Sequence, residues 1–151
     1  MKTNFAYNIQ IFCGLKEGYD GKVHDVEQVE ILMQKFVDEN KDCVTITPTK
    51  FLYVGGSEPG VIVGLISYPR FIRSTTVLKN RAIEIAKILM VAFKQNRITI
   101  TTPEESIMLE EEDVKKTIYK NICHRRVIVE KYNSVKKNEN TFQENFQSFC
   151  S

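Results

Sequence analysis

Arginine, tyrosine and hydroxyl side chains gather in one short stretch, Tyr68-Pro69-Arg70-Phe71 followed by Arg73, Ser74, Thr75 and Thr76. A guanidinium is planar and always charged, which suits it to phosphate or carboxylate. The stretch follows an apolar run, so Arg70 and Arg73 are expected to project from one end of a sheet. Together with the glycine-bearing segment from Gly14 to Lys22 they would form an anion-binding mouth; an ordinary solvated loop is the competing reading. A second glycine-rich stretch, Gly55-Gly56-Ser57-Glu58-Pro59-Gly60, lacks the Gly-Lys-Ser/Thr ending of a phosphate loop and leads into a strand instead of a helix. It reads as a hairpin connection, with Ser57 or Glu58 available to a ligand. The candidate ligand-binding set is Tyr68, Arg70, Arg73 and Ser57.

Acid–base chemistry has fewer candidates. His24 and His124 are the two histidines. His24 precedes Asp25 after a glycine-rich loop, and as a general acid/base it would pair with Asp20, Asp25 or Glu17. The alternative catalytic pair is thus His24 and Asp25, against a solvated loop imidazole. His124 sits in Cys123-His124-Arg125-Arg126, where adjacent Cys and His side chains rarely share one metal. No G-x-S-x-G elbow is present, and neither histidine has a recognisable Ser or Cys partner. No metal site and no cofactor is expected. The four cysteines lack C-x-x-C spacing and read as reduced thiols of a cytoplasmic protein.

The elements that must position these residues follow from periodicity. Phe5 to Cys13 alternates with period two, a strand. Asp25 and Gln28 form a capping-box pattern opening a helix whose stripe is Val26, Val29, Met33, Phe36 and Val37, ending near Asn40. Val44, Ile46, Phe51 and Tyr53 mark a second strand. Pro48 interrupts it, so the strand lies at an edge or bulges there. Val61 to Tyr68 is a third strand with apolar side chains pointing both ways, stopped by Pro69. A helix over about 78–95 carries Ala82, Ile85, Ala86, Leu89 and Phe93, and Arg97 to Thr101 is a fourth strand. The order β-α-β-β-α-β predicts an α+β fold, a ferredoxin-like split β-α-β sandwich. Right-handed crossovers place the first and third strands centrally, the second and fourth at the edges, and both helices on one face.

Domain organisation follows: a ferredoxin-like domain over 1–110 and a charged C-terminal extension over 111–151. A short strand at 106–109 or a helix cap follows the fourth strand. Residues 1–110 hold 13 basic and 13 acidic side chains, whereas Lys115 to Lys137 hold 8 basic against Glu130 alone. A nucleic-acid reading would rest on Lys115, Lys116, Lys120, Arg125 and Arg126; solvated charge is preferred, because the net charge is only +2. The first strand, Asn8-Ile9-Gln10-Ile11-Phe12-Cys13-Gly14-Leu15, resembles the first motif of RNA-recognition modules, with Phe12 as its stacking aromatic. That family also stacks bases on its third strand, where this chain offers Val61 to Ile66, so the resemblance is set aside. No apolar run approaches the ~18 residues of a membrane span.

A third strand apolar on both faces leaves surface that the helices cannot cover, and burying one aliphatic side chain is worth ~1.5–3 kcal/mol. The covering would be a second copy, the extension, or a partner. The resulting expectation is a small cytoplasmic, non-enzymatic binding protein. It would form a homo-oligomer, a dimer, and hold a partner protein or small anionic ligand. The alternatives are a nucleic-acid binder using residues 115–137 and a small enzyme with a loop-lined pocket using His24. Lys- and Asn-rich composition hints at a bacterial or phage source.

Overall fold

The computed structural model describes residues 1–115. Seven elements follow one another: β1 (Asn8–Gly14), α1 (Val26–Asn40), β2 (Thr45–Tyr53), β3 (Gly56–Ile66), α2 (Thr75–Ala92), β4 (Arg97–Thr101) and β5 (Ser106–Glu110). The strands form one sheet in the order β2-β3-β1-β4-β5, antiparallel throughout. This is the expected α+β, ferredoxin-like arrangement with β1 and β3 inside it. One correction concerns β4. The chain turns back after Thr101 into β5, which pairs along all of β4 and takes over that edge. Thr102 makes the turn: its hydroxyl accepts the amides of Glu104 and Glu105, and its own amide donates to Glu105 O at 2.9 Å.

Register explains which side chains are buried. The β1 residues Ile9, Ile11 and Cys13, with the flanking Tyr7 and Leu15, share one face with Val61, Val63 and Leu65 of β3 and Ile98 and Ile100 of β4, and all are buried. The helices cover that face with Val29, Leu32, Met33 and Phe36 of α1 and Ala82, Ile85, Ala86 and Leu89 of α2. The alternation in β1 produces this division, because a strand sends successive side chains to opposite faces. Asp25 caps α1 through the expected capping box with Gln28. Ser74 caps α2 by accepting the Val77 amide.

Two sequence expectations need correction. β2 runs unbroken through Pro48, which pairs with Val61; its missing N–H is tolerated because the strand lies at the edge. The hairpin connection is also shorter than expected: Tyr53 pairs with Gly56, so the turn is Val54-Gly55 and Ser57, Glu58 and Pro59 belong to β3. Gly55 takes a positive φ of 80°, the left-handed conformation that a tight turn assigns to glycine.

The second face of β3 is less apolar than its composition implies. Its outward positions in the sheet centre are Ile62, Gly64 and Ile66, and Gly64 lies under the Thr45 side chain, which occupies the space a Cβ would need. The central cross-strand row reads Thr47, Ile62, Phe12, Thr99, Met108, and the next reads Thr45, Gly64, Gln10, Thr101, Ser106. Threonines thus frame a narrow apolar stripe on the open face. Met1–Glu111 forms one compact unit. Among the described residues no helix is long and apolar enough to cross a membrane.

Candidate functional site

β3 delivers the chain from Ile66 into Ser67 and Tyr68 at the end of the sheet where α1 finishes and α2 begins. A cavity of about 350 Å³ opens there, a size within the range of small-molecule sites. Val37, Leu65, Ile66 and Leu78 supply aliphatic wall, and Tyr68 and Phe71 supply aromatic wall. Asp38, Lys41, Asp42, Cys43 and Arg73 supply the polar groups. The segment leaving α1 turns at Lys41, whose φ of 55° is left-handed, and this brings Asp42 and Cys43 to the cavity.

Asp42 ties the elements together. Its side chain is 6% exposed; Oδ1 receives Arg73 Nη2 at 3.0 Å, and Oδ2 lies 3.0 Å from Arg81 Nε without hydrogen-bond alignment. Arg73 Nη2 also donates to the carbonyl of Lys41 at 3.0 Å. Arg81 of α2 reaches back to Asn40 Oδ1 at 2.8 Å and to Glu84 at 3.2 Å. One buried carboxylate thus serves two guanidiniums, fixing the Tyr68–Ser74 loop to both helices. Asp38 accepts from Gln34 Nε2 at 2.9 Å through Oδ1. A hydrogen bond with the Cys43 side chain, then burial, holds the Tyr68 hydroxyl above its ordinary pKa, so it is a donor at neutral pH.

Of the sequence-derived ligand set, Tyr68 and Arg73 line the cavity. Arg70 is not among the lining residues and lies over the Phe71 ring, 5.4 Å from its centroid. Ser57 is at the far end of β3, about 30 Å away along the strand. Asp38, Lys41, Asp42 and Phe71 were not singled out from the sequence. Only the position of Phe71, beside Tyr68 and Arg70, could have flagged it.

His24 occupies the opposite end of the sheet. Its amide donates to Leu15 O at 2.7 Å in the β1–α1 connection, and its ring is buried edge-on against Phe93, centroids 5.0 Å apart. Nε2 lies 2.7 Å from Glu17 Oε1 and Nδ1 3.1 Å from Gln28 Oε1. That Gln28 oxygen also accepts the Asp25 amide, so the imidazole is held between two side-chain oxygens. His24 therefore locks the loop to α1 and does not reach the cavity. Asp25 is spent on the helix cap. Among the described residues no group of three or more His, Cys, Asp or Glu could hold a metal ion. Of the basic set, Lys116, Lys120, Arg125 and Arg126 fall outside the described residues, as does His124. Lys115 is described and engaged in contacts.

No family model matches the chain, and no curated protein matches it. Two solved structures do. A phage SAM lyase in complex with S-methyl-5'-thioadenosine superimposes with a TM-score of 0.64 at 15% identity, over 74% of this chain and 95% of that one. A phage SAM lyase in the apo state gives 0.59 at 16% identity, over 70% and 90%. The shared property is the fold. The likeness also corrects the expectation of a non-enzymatic binding protein: the structures that share this fold along nearly their whole length are those of an enzyme. The alternative of a small enzyme with a loop-lined pocket accords better with them, although the described residues lining this cavity include no histidine.

Proposed function

We propose that the chain is a lyase acting on S-adenosylmethionine, or a closely similar sulfonium, and releasing S-methyl-5'-thioadenosine. The observation that carries the reading is the likeness to the thioadenosine-bound lyase over 95% of that chain. The cavity supports it chemically. Phe71 and Tyr68 offer aromatic surface for a purine, the aliphatic wall suits a thioether, and the Asp38 carboxylate offers an anion to a cationic centre.

The reaction is constrained by its product. S-methyl-5'-thioadenosine keeps the methyl and adenosyl groups, so the bond that breaks joins sulfur to the γ-carbon of the amino-acid chain. Its electron pair goes to sulfur, which becomes neutral. A lyase adds no water, and the γ-carbon is then satisfied by an oxygen of the substrate's own carboxylate, closing a five-membered lactone. This route needs no proton transfer at the breaking bond. Its requirements are orientation of the carboxylate behind the γ-carbon and a site that excludes water. The described lining, which includes no histidine, suits such chemistry.

Purified protein incubated with S-adenosylmethionine should release S-methyl-5'-thioadenosine and the lactone, followed by liquid chromatography with mass detection. Phe71→Ala, which removes an aromatic wall from a largely exposed position, should cut turnover about tenfold or more. Absence of the thioadenosine product from the wild-type protein would reject the proposal.

Self-association is proposed alongside, through the open-face stripe of Phe12, Ile62, Ile66 and Met108, of which Ile66 is 37% and Met108 56% exposed. Light scattering should give the mass of a dimer, and Phe12→Asp should reduce it; a monomeric mass for the wild type at all concentrations would remove the idea.

A further inference from the structure

The cavity's charges are arranged unevenly, and this bears on what it admits. Among the described residues Arg73 is the only arginine lining it. Both hydrogens of Nη2 are committed, one to Asp42 Oδ1 and one to the Lys41 carbonyl, each at 3.0 Å. Nε–H and the two hydrogens of Nη1 have no partner among the described residues. Lys41 also lines the cavity, and its ammonium has no partner among the described residues. Asp42 does not neutralise this pair, because its carboxylate is shared with Arg81. The guanidinium is thus held by one edge and offers donors from the rest, an arrangement that fixes its plane before any ligand arrives. The cavity's other carboxylate, Asp38, stands one helical turn before Asp42 at the end of α1.

Resting on the lyase reading above, we infer that Arg73, oriented by Asp42 and assisted by Lys41, binds the carboxylate of the substrate's amino-acid chain. The cavity therefore selects adenosyl sulfonium compounds that retain this carboxylate over decarboxylated ones. Arg73 is the binding residue. Asp42 is a positioning residue, since its two oxygens lie against the two arginines, Oδ1 3.0 Å from Arg73 and Oδ2 3.0 Å from Arg81. The assignment also answers the mechanistic requirement: a carboxylate bonded through one oxygen to a fixed guanidinium keeps its second oxygen to displace sulfur.

Competitive inhibition distinguishes carboxylate recognition from general support of the loop. S-adenosylhomocysteine carries the carboxylate on a neutral thioether, its decarboxylated counterpart lacks it, and S-methyl-5'-thioadenosine lacks the whole chain. The wild-type protein should bind S-adenosylhomocysteine about 10- to 100-fold more tightly than the decarboxylated compound, the worth of a charge-assisted hydrogen bond or two. Arg73→Met should erase that difference and raise KM for S-adenosylmethionine by a similar factor, leaving inhibition by S-methyl-5'-thioadenosine unchanged. Arg73→Lys should keep part of the preference, and Asp42→Asn should diminish it. Equal wild-type affinity for the two thioethers overturns the inference even if no variant folds. So does an Arg73→Met protein in which all three inhibitors weaken together. If the wild type releases no S-methyl-5'-thioadenosine from S-adenosylmethionine, the lyase reading fails, and this inference with it. Release of that product without carboxylate preference removes this inference alone.

Discussion

The two described cysteines show how burial decides reactivity. Cys13 points into the core from β1 with no exposed surface, and burial followed by the Glu58 charge pushes its thiol up to about 12. Cys43 is exposed at the cavity. Thiolate is the form that alkylates. At pH 8 the native protein treated with iodoacetamide should carry label on the Cys43 peptide within minutes and none on the Cys13 peptide until it is unfolded. Peptide mass mapping reads this directly, and equal labelling of the two would contradict the packing of β1. The raised value also fixes the alkaline behaviour. Between the ordinary value of 9.0 and about 12 the unfolded chain loses this proton while the native chain keeps it, so the Cys13 contribution to stability is lost as pH rises through that window. Neither feature could be read from sequence, where all four cysteines look alike; alternation alone shows that Cys13 shares a face with Ile9 and Ile11.

At the scale of elements, a polar latch fastens α2 to the β4–β5 turn. Lys79 Nζ lies 2.7 Å from Glu104 and 3.2 Å from Glu105, and the Tyr7 hydroxyl donates to Glu104 Oε2 at 3.2 Å. The Lys79 hydrogen bond, aided by Tyr7, holds the Glu104 carboxyl below its ordinary value, and the same pair holds Lys79 above its own. A depressed carboxyl stabilises the fold above its unfolded value of about 4.5 and ceases to do so as pH falls through its lower native value. Glu104→Gln should therefore leave a protein whose urea midpoint falls less steeply than wild type as pH drops below 4.5. The effect should be small, because the pair is solvated; an unaltered slope would show the latch to be without consequence. Most elements themselves were legible: alternation gave β1, the capping box gave α1, and Pro48 placed β2 at an edge. β5 is ambiguous in the sequence, because Thr102-Pro103-Glu104-Glu105 contains acidic residues that suit a helix start as well as a turn. Only pairing with β4 separates the two.

At the scale of the whole molecule, the sheet's two ends do different things, and this is what sequence order conceals. Ser57 and Arg73 are 16 positions apart yet lie toward opposite ends of a long β3, whereas Asp42 and Arg73, twice as distant in sequence, share an ion pair. The arginine loop was legible because its residue types are rare together. Its partners were not, because Asp38, Lys41 and Asp42 look like the polar end of any surface helix. Once folded, the cavity joins the end of α1, the start of α2 and the loop between β3 and α2, with an apolar interior facing water. A ligand filling it should hold all three together. S-methyl-5'-thioadenosine at about 100 times its dissociation constant should add ~2.7 kcal/mol, or roughly 5–10 °C in Tm for a chain of this length. Adenine alone should give less, because it leaves the aliphatic wall uncovered. Phe71→Ala should lower the shift without lowering the unliganded Tm appreciably, since the ring is 56% exposed and carries little of the core. A wild-type Tm indifferent to saturating S-methyl-5'-thioadenosine would mean that the cavity is no nucleoside site, whatever the likeness of the fold.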